Sequence, residues 1–144
     1  MMSYATITEL RARIGQSVFD EIYGASDRPD QSDRSDAVAD LESAGAEVDG
    51  TIATRYRLPV QGERTLALLR DWTLTLAEER AYARAAGSAF AEKVKSRVAQ
   101  VRTYLGMIRD GSFRLPDAEE RKDSSVAFAS CKPPVFGRDN MKGF

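Results

Sequence analysis

SAFAEKVKSRVAQVRTYLGMIRDG, residues 88–111, is the stretch whose reading decides the fold. Phe90, Val94, Val98, Val101, Leu105 and Ile108 follow one another at spacings of 4, 4, 3, 4 and 3. That repeat places all six on one face of an α-helix and leaves the opposite face to charged and polar groups. Gly111 supplies the stop, because a glycine readily takes the left-handed conformation that closes a helix. A helix with one apolar face needs other elements against it, and the preceding sequence predicts them.

Leu66, Leu68, Leu69, Trp72, Leu74 and Leu76 crowd a fourth helix that runs to about Ala86. They occupy more than one stripe, the pattern of a helix enclosed on several sides. A third helix is predicted from about Asp36 to Arg57, with Val38, Leu41, Val48, Ile52 and Tyr56 on its stripe. Gly45 and Gly50 weaken its interior, each by about 1 kcal/mol against alanine, and close approach by a neighbouring helix would be one structural reason for them. Leu58-Pro59 ends it, since proline disfavours helical geometry in the residue before it. At the amino end, Thr6-Ile7-Thr8-Glu9 reads as a capping box, followed by Ile7, Leu10 and Ile14 and a stop at Gly15. A short second helix, about Ser17 to Tyr23, carries Val18, Phe19 and Ile22 and closes at Gly24. The fold class is therefore all-α, a bundle of about five helices with an extended C-terminal tail.

Two segments break the helical rhythm. Residues 25–35 have no apolar period and read as an exposed loop, with Asp27, Asp30, Asp33 and Asp36 at every third position. Calcium loops place oxygen ligands on alternate positions and end in a bidentate glutamate, so this spacing reads as a solvated loop. Asp33 or Ser35 is expected to cap the third helix. Residues 112–144 hold three of the five prolines, with one strand possible near Ser124 to Ser130, where Val126 and Phe128 share a side. The division is a helical domain over 1–111 and an extended tail over 112–144. The tail ends in Val135, Phe136, Met141 and Phe144, apolar anchors of the kind that seek a groove or sheet edge elsewhere.

Composition narrows the chemistry. A chain of 144 residues matches one domain and should bury roughly 68% of its unfolded surface, enough to fold without staples. Histidine is absent and Cys131 is the single cysteine, which removes histidine-activated nucleophiles, histidine-ligated metals and any internal disulfide. Phosphate-binding glycine loops and nucleophile elbows are missing. Glu78-Glu79 and Glu119-Glu120 are paired acids, expected to lie in solvent. No enzyme, metal or cofactor is expected. Without an apolar run near ~20 residues or a leader-like opening, the expectation is a water-soluble intracellular protein with no membrane contact.

Net charge is −1, but residues 1–54 carry −7, residues 55–110 carry +5 and residues 111–144 carry +1. Such polarity suits head-to-tail contact between copies. In that arrangement Asp36, Asp40 and Glu47 of the third helix would face Lys95, Arg97 and Arg102 of the next copy. The alternative is a helical DNA-binding or regulatory module, with Arg80, Arg84, Lys93, Lys95, Arg97 and Arg102 tracking phosphates. Glu78, Glu79 and Glu92 interrupt that patch, and a pI of about 5.6 is low for it.

Three features together carry a family resemblance: the opening Tyr4-Ala5-Thr6, the run Ile52-Ala53-Thr54-Arg55-Tyr56-Arg57-Leu58-Pro59, and the ending Pro134-Val135-Phe136-Gly137-Arg138-Asp139 with Lys142-Gly143-Phe144. The chain resembles the Mu-type phage and prophage head–tail connector proteins, also called adaptor or neck proteins. Asn140-Met141 departs from the small residue and leucine expected in the ending. The fourth helix also lacks the expected tyrosine-rich stretch. The resemblance implies a structural virion protein, made in the bacterial host cytoplasm and located in the head–tail neck. It implies a homo-oligomeric ring of about twelve copies docked under the portal protein. The ring would extend the channel for packaged DNA, passed without sequence specificity, and would offer a surface to a stopper, tail terminator or other neck protein. Portal docking would fall to the tail through Pro133, Pro134, Val135, Phe136, Gly137, Arg138, Asp139, Met141, Lys142, Gly143 and Phe144.

Overall fold

Val94, Val98, Val101, Leu105 and Ile108 are all buried, so the stripe that predicted the last helix is the face that enters the core. Full burial of a side chain of this size contributes about 1.5–3 kcal/mol, which makes the stripe a major source of stability. The computed structural model describes residues 3–24, 35–84 and 88–120, and its described elements are five helices. They are α1 Ile7–Ile14, α2 Gln16–Tyr23, α3 Ser35–Ile52, α4 Glu63–Arg84 and α5 Ser88–Asp110. The protein is all-α, with a single isolated bridge, Tyr56 to Glu120, and no strand among the described residues.

Helix α4 is the axis of the bundle. It packs most extensively on α5 and α3, while the α1–α2 hairpin lies against it as well. Seven consecutive residues, Trp72 to Glu78, are buried, which happens only when a helix has neighbours all round. Trp72 stacks on Tyr104 of α5 with ring centroids 5.8 Å apart and planes 13° from parallel. Phe113 closes this cluster at 5.5 Å from Tyr104 and 6.1 Å from Trp72.

The helix ends follow local chemistry. The Glu9 amide donates to Thr6 Oγ1 at 3.2 Å and the Thr6 amide donates to Glu9 Oε2 at 2.8 Å, the capping box in full. At the end of α5 the Ser112 amide donates to the Met107 carbonyl and the Gly111 amide to the Ile108 carbonyl. This is the paired closure that requires a left-handed residue, and Gly111 has φ +89°.

Helix α3 stops at Ile52 rather than at Arg57. The Thr54 hydroxyl donates to the Thr51 carbonyl at 2.6 Å, and the next amides tighten into a turn on Ile52. A side chain that takes a backbone carbonyl offers the chain an alternative to helix, and β-branched residues add little to resist it. Gly45 and Gly50 do not mark close helix approach. A Cβ at either would meet nothing within 4 Å, and nothing in the structure explains them.

The helical body does not end at Gly111. Leu115 is buried, and its amide donates to the Tyr56 hydroxyl at 3.0 Å. The Asp117 amide donates to Thr65 Oγ1 at 3.1 Å, while Asp117 Oδ2 accepts from the Arg64 amide at 3.1 Å. Asp117 thus caps the start of α4 from a distant part of the chain, where the preceding Gly62 has no side chain to do so. The Arg57 amide donates to the Glu119 carbonyl at 3.1 Å. Residues 113–120 are therefore part of the body. The acids Asp27, Asp30 and Asp33, the cap expected of Asp33, the restart at Gly87, the candidate strand Ser124–Ser130 and the tail anchors 132–144 lie outside the described residues.

Candidate interaction surface

The acidic side chains of α3 meet arginines of α4 and α5 in their own chain. Arg84 forks onto Asp40, with Nε to Oδ2 at 2.7 Å and Nη2 to Oδ1 at 3.0 Å. Its Nη1 lies 3.7 Å from Asp36. Asp40 is buried and also accepts from the Tyr23 hydroxyl of α2. Burial and that carboxylate together push the Tyr23 pKa upward. About two turns along α3, Glu47 accepts from Arg80 at 2.8 Å and from Arg102 at 3.0 Å. Arg102 continues to Glu79 at 2.7 Å. A single guanidinium so ties α3, α4 and α5 together. Burial raises the Glu47 pKa, but hydrogen bonds and charge from Arg102 and Arg80 outweigh it, and the net shift is downward.

Glu78 overturns the expectation that the paired acids of α4 lie in solvent. Its side chain is 1% exposed, and the carboxylate sits between Arg97 Nη2 at 3.1 Å and Arg13 Nε at 3.4 Å. Burial is the larger effect and raises its pKa despite both arginines. Arg13 also donates to Thr75 Oγ1 at 3.0 Å and pairs with Asp71, so α1 is fastened to α4 by one side chain. Adjacent acids diverge by about 100° on a helix, so Glu78 turns inward while Glu79 reaches Arg102 at the surface.

Of the six residues expected at a contact between copies, five are engaged within the chain: Asp36, Asp40, Glu47, Arg97 and Arg102. Part of the charge asymmetry is neutralised within the chain, because Asp36, Asp40 and Glu47 of α3 pair with arginines of α4 and α5. Lys95 is exposed and has no ion pair among the described residues. The tail residues Pro133 to Phe144 lie outside the described residues.

A groove that charge and periodicity did not single out lies at the other end of α3. Tyr4, Leu58, Pro59, Val60 and Leu66 form its walls, Asp49, Arg70 and Ser3 its rim, and its volume is about 430 Å³. Leu58 is the one large apolar side chain exposed among the described residues, at 36%. The Tyr4 hydroxyl donates to Asp49 Oδ1, and burial together with that carboxylate pushes the phenol pKa upward. Arg70 of the rim pairs with Glu9 of α1 at 3.6 Å. The signal for this site is in the sequence: Tyr4 and Leu58-Pro59 come from two of the three stretches that carry the family resemblance, and folding brings them to one place.

No group of three or more potential metal ligands occurs among the described residues. No described helix is long and apolar enough to cross a membrane. The family model described as Bacteriophage Mu, Gp36 matches residues 4–130. The chain belongs to the bacteriophage Mu Gp36 family. The match begins at the groove residue Tyr4, covers all five helices, and reaches ten residues beyond Glu120. The ending 134–144 lies beyond the residues matched to the Gp36 family. Compared with curated proteins, the chain shows no significant match.

Proposed function

We propose that this protein is a structural part of the phage particle, the head–tail connector ring that docks under the portal. Membership of the Mu Gp36 family over residues 4–130 carries the reading. A body whose charges are spent on holding α3, α4 and α5 together fits a load-transmitting part better than one built for chemistry. Copies of the chain would form a ring of about twelve, extend the DNA channel and present a surface to a stopper or tail terminator. The arm 132–144 would seat Val135, Phe136, Met141 and Phe144 in portal pockets. Many equivalent arms on one ring multiply the strength of a modest single contact. Particles would carry the protein in the neck.

The DNA-binding alternative is disfavoured by a specific observation. Arg80, Arg84, Arg97 and Arg102 each pair with a carboxylate of the same chain, so phosphate contact would require breaking those pairs first. The deciding experiment is a phage carrying a nonsense codon in this gene, together with portal pull-down by the purified protein. DNA-filled heads without tails, and portal binding lost on deleting residues 132–144, are the expected outcomes. Normal tailed particles, or salt-sensitive duplex binding without portal binding, would replace the connector by the regulatory reading.

A further inference from the structure

Leu58, Pro59 and Val60 wall two hollows at once, the apolar groove beside Tyr4 and a polar one of about 340 Å³ beside Gln61 and Asp117. A segment with a hollow on each side is a ridge, and it carries Leu58, the one large apolar side chain exposed among the described residues. Another hollow, of about 460 Å³, opens between α4 and α5. Val94 and Val98 are buried at its floor, Ala99 lines its wall, and Glu92 and Lys95 stand on its rim. We propose that the ridge of one copy seats Leu58 in this hollow of the next copy, with Arg57 meeting Glu92 and Glu119 meeting Lys95. The contact rests on the connector reading in one respect only, that copies of the chain meet in a ring.

Ridge and hollow do not meet within one chain. The ridge ends three residues before Glu63, the first residue of α4, whereas the hollow takes in Glu79, 16 residues further along that helix. At 1.5 Å per residue the two lie about 24 Å apart along the axis. Leu58 therefore reaches such a hollow only on another molecule. Joining two different patches makes the contact heterologous, the type from which rings close. Charge matches at the edges. Arg57, Glu92, Lys95 and Glu119 are all exposed, and their side chains form no ion pair among the described residues. The ridge thus offers one free cation and one free anion, and the rim of the hollow offers one of each sign. Glu79 and Arg102, the other charges around the hollow, pair with each other at 2.7 Å and add no net charge. Leu58 would supply the apolar anchor at the centre, and the four charges around it would fix the register.

Full-length chains carrying Leu58→Asp lose the ridge anchor, and chains carrying Ala99→Arg have the hollow filled. Both positions are exposed, so the helical circular dichroism should stay the same. Sedimentation velocity should show wild type in assemblies of more than two copies. Each variant alone should associate about tenfold or more weakly. Mixed in equal amounts, the two variants hold one intact ridge and one intact hollow between them, and should form a dimer that grows no further. Arg57→Glu should weaken assembly, and Glu92→Arg in the same chain should restore it, a rescue that a folding defect would not give. Assemblies of unchanged size from both single variants overturn the proposal, as does a mixture that stays monomeric. A wild type that stops at a monomer or a dimer also overturns it, the dimer pointing to a two-fold contact instead. A charge swap that gives no rescue overturns the pairing at the rim. None of these results touches the connector reading, which particles from the nonsense phage decide.

Discussion

Arg97 donates to Glu78 at 3.1 Å across the α4–α5 interface, and the carboxylate it holds is 1% exposed. A charge in that position needs its partners more than it adds to stability, because the cost of leaving it unpaired exceeds the net gain from pairing it. Arg13 approaches the same carboxylate from α1 at 3.4 Å, so three helices meet on one side chain.

Removing both arginines should expose that cost. Arg13→Ala with Arg97→Ala is expected to destabilise the fold by about 3–5 kcal/mol at pH 7. Arg97→Ala alone should cost only about 1 kcal/mol, since the Arg97 side chain is 49% exposed and water replaces part of its role. The double variant should recover part of its loss at pH 4, where a protonated Glu78 needs no counter-charge. Urea midpoints at the two pH values measure this, and equal losses at both would show that the carboxylate is not the cause.

Glu47 and Glu78 should give acid limbs of opposite sign. The pKa of Glu47 is lowered, so its contribution is present above the ordinary value of 4.5 and is lost as pH falls through its folded value. The pKa of Glu78 is raised, so its ionisation removes stability as pH climbs from 4.5 through its folded value. Wild type and Glu47→Gln should therefore converge on going below pH 4.5. Glu78→Gln should gain on wild type in the window just above it. Denaturation curves taken at half-unit steps of pH separate the two, and parallel profiles would refute the assignment.

Trp72→Ala should cost about 3–5 kcal/mol, because the indole is 3% exposed and stacks on Tyr104. Thermal unfolding followed by circular dichroism checks it. An unchanged curve would mean that the α4–α5 aromatic cluster is not part of the core.

Charge reversal on α5 should separate folding from assembly only at Lys95. Lys95→Glu breaks no ion pair among the described residues and should leave the melting curve within about 0.5 kcal/mol of wild type. Adding Arg97→Glu and Arg102→Glu places like charges against Glu78, Glu47 and Glu79 and should strongly lower the melting temperature. Ring formation by the single variant, scored by light scattering and electron microscopy, then reports on Lys95 as a contact between copies. A triple variant as stable as wild type would mean that the three-helix ladder contributes nothing.

The sequence alone determined the helices and their inward faces. The stripe from Val94 to Ile108, the enclosed run around Trp72, and the capping box at Thr6 are local patterns, and local backbone geometry reads them directly. Which charges meet was decided by tertiary structure. Asp40 and Arg84, or Glu47 and Arg102, are far apart in sequence and become partners only when α3, α4 and α5 pack side by side. The same holds for Glu78, whose burial depends on helices on both sides of α4, and for the groove, which joins Tyr4 to Leu58. The end of α3 and the return of 113–120 were settled by competition for backbone hydrogen bonds. Thr54, Tyr56 and Asp117 won groups that a helix or a free tail would otherwise have kept. Periodicity reports which face of an element is apolar, but not which partner that face or its charged flank will find, because that choice is a sum over long-range contacts.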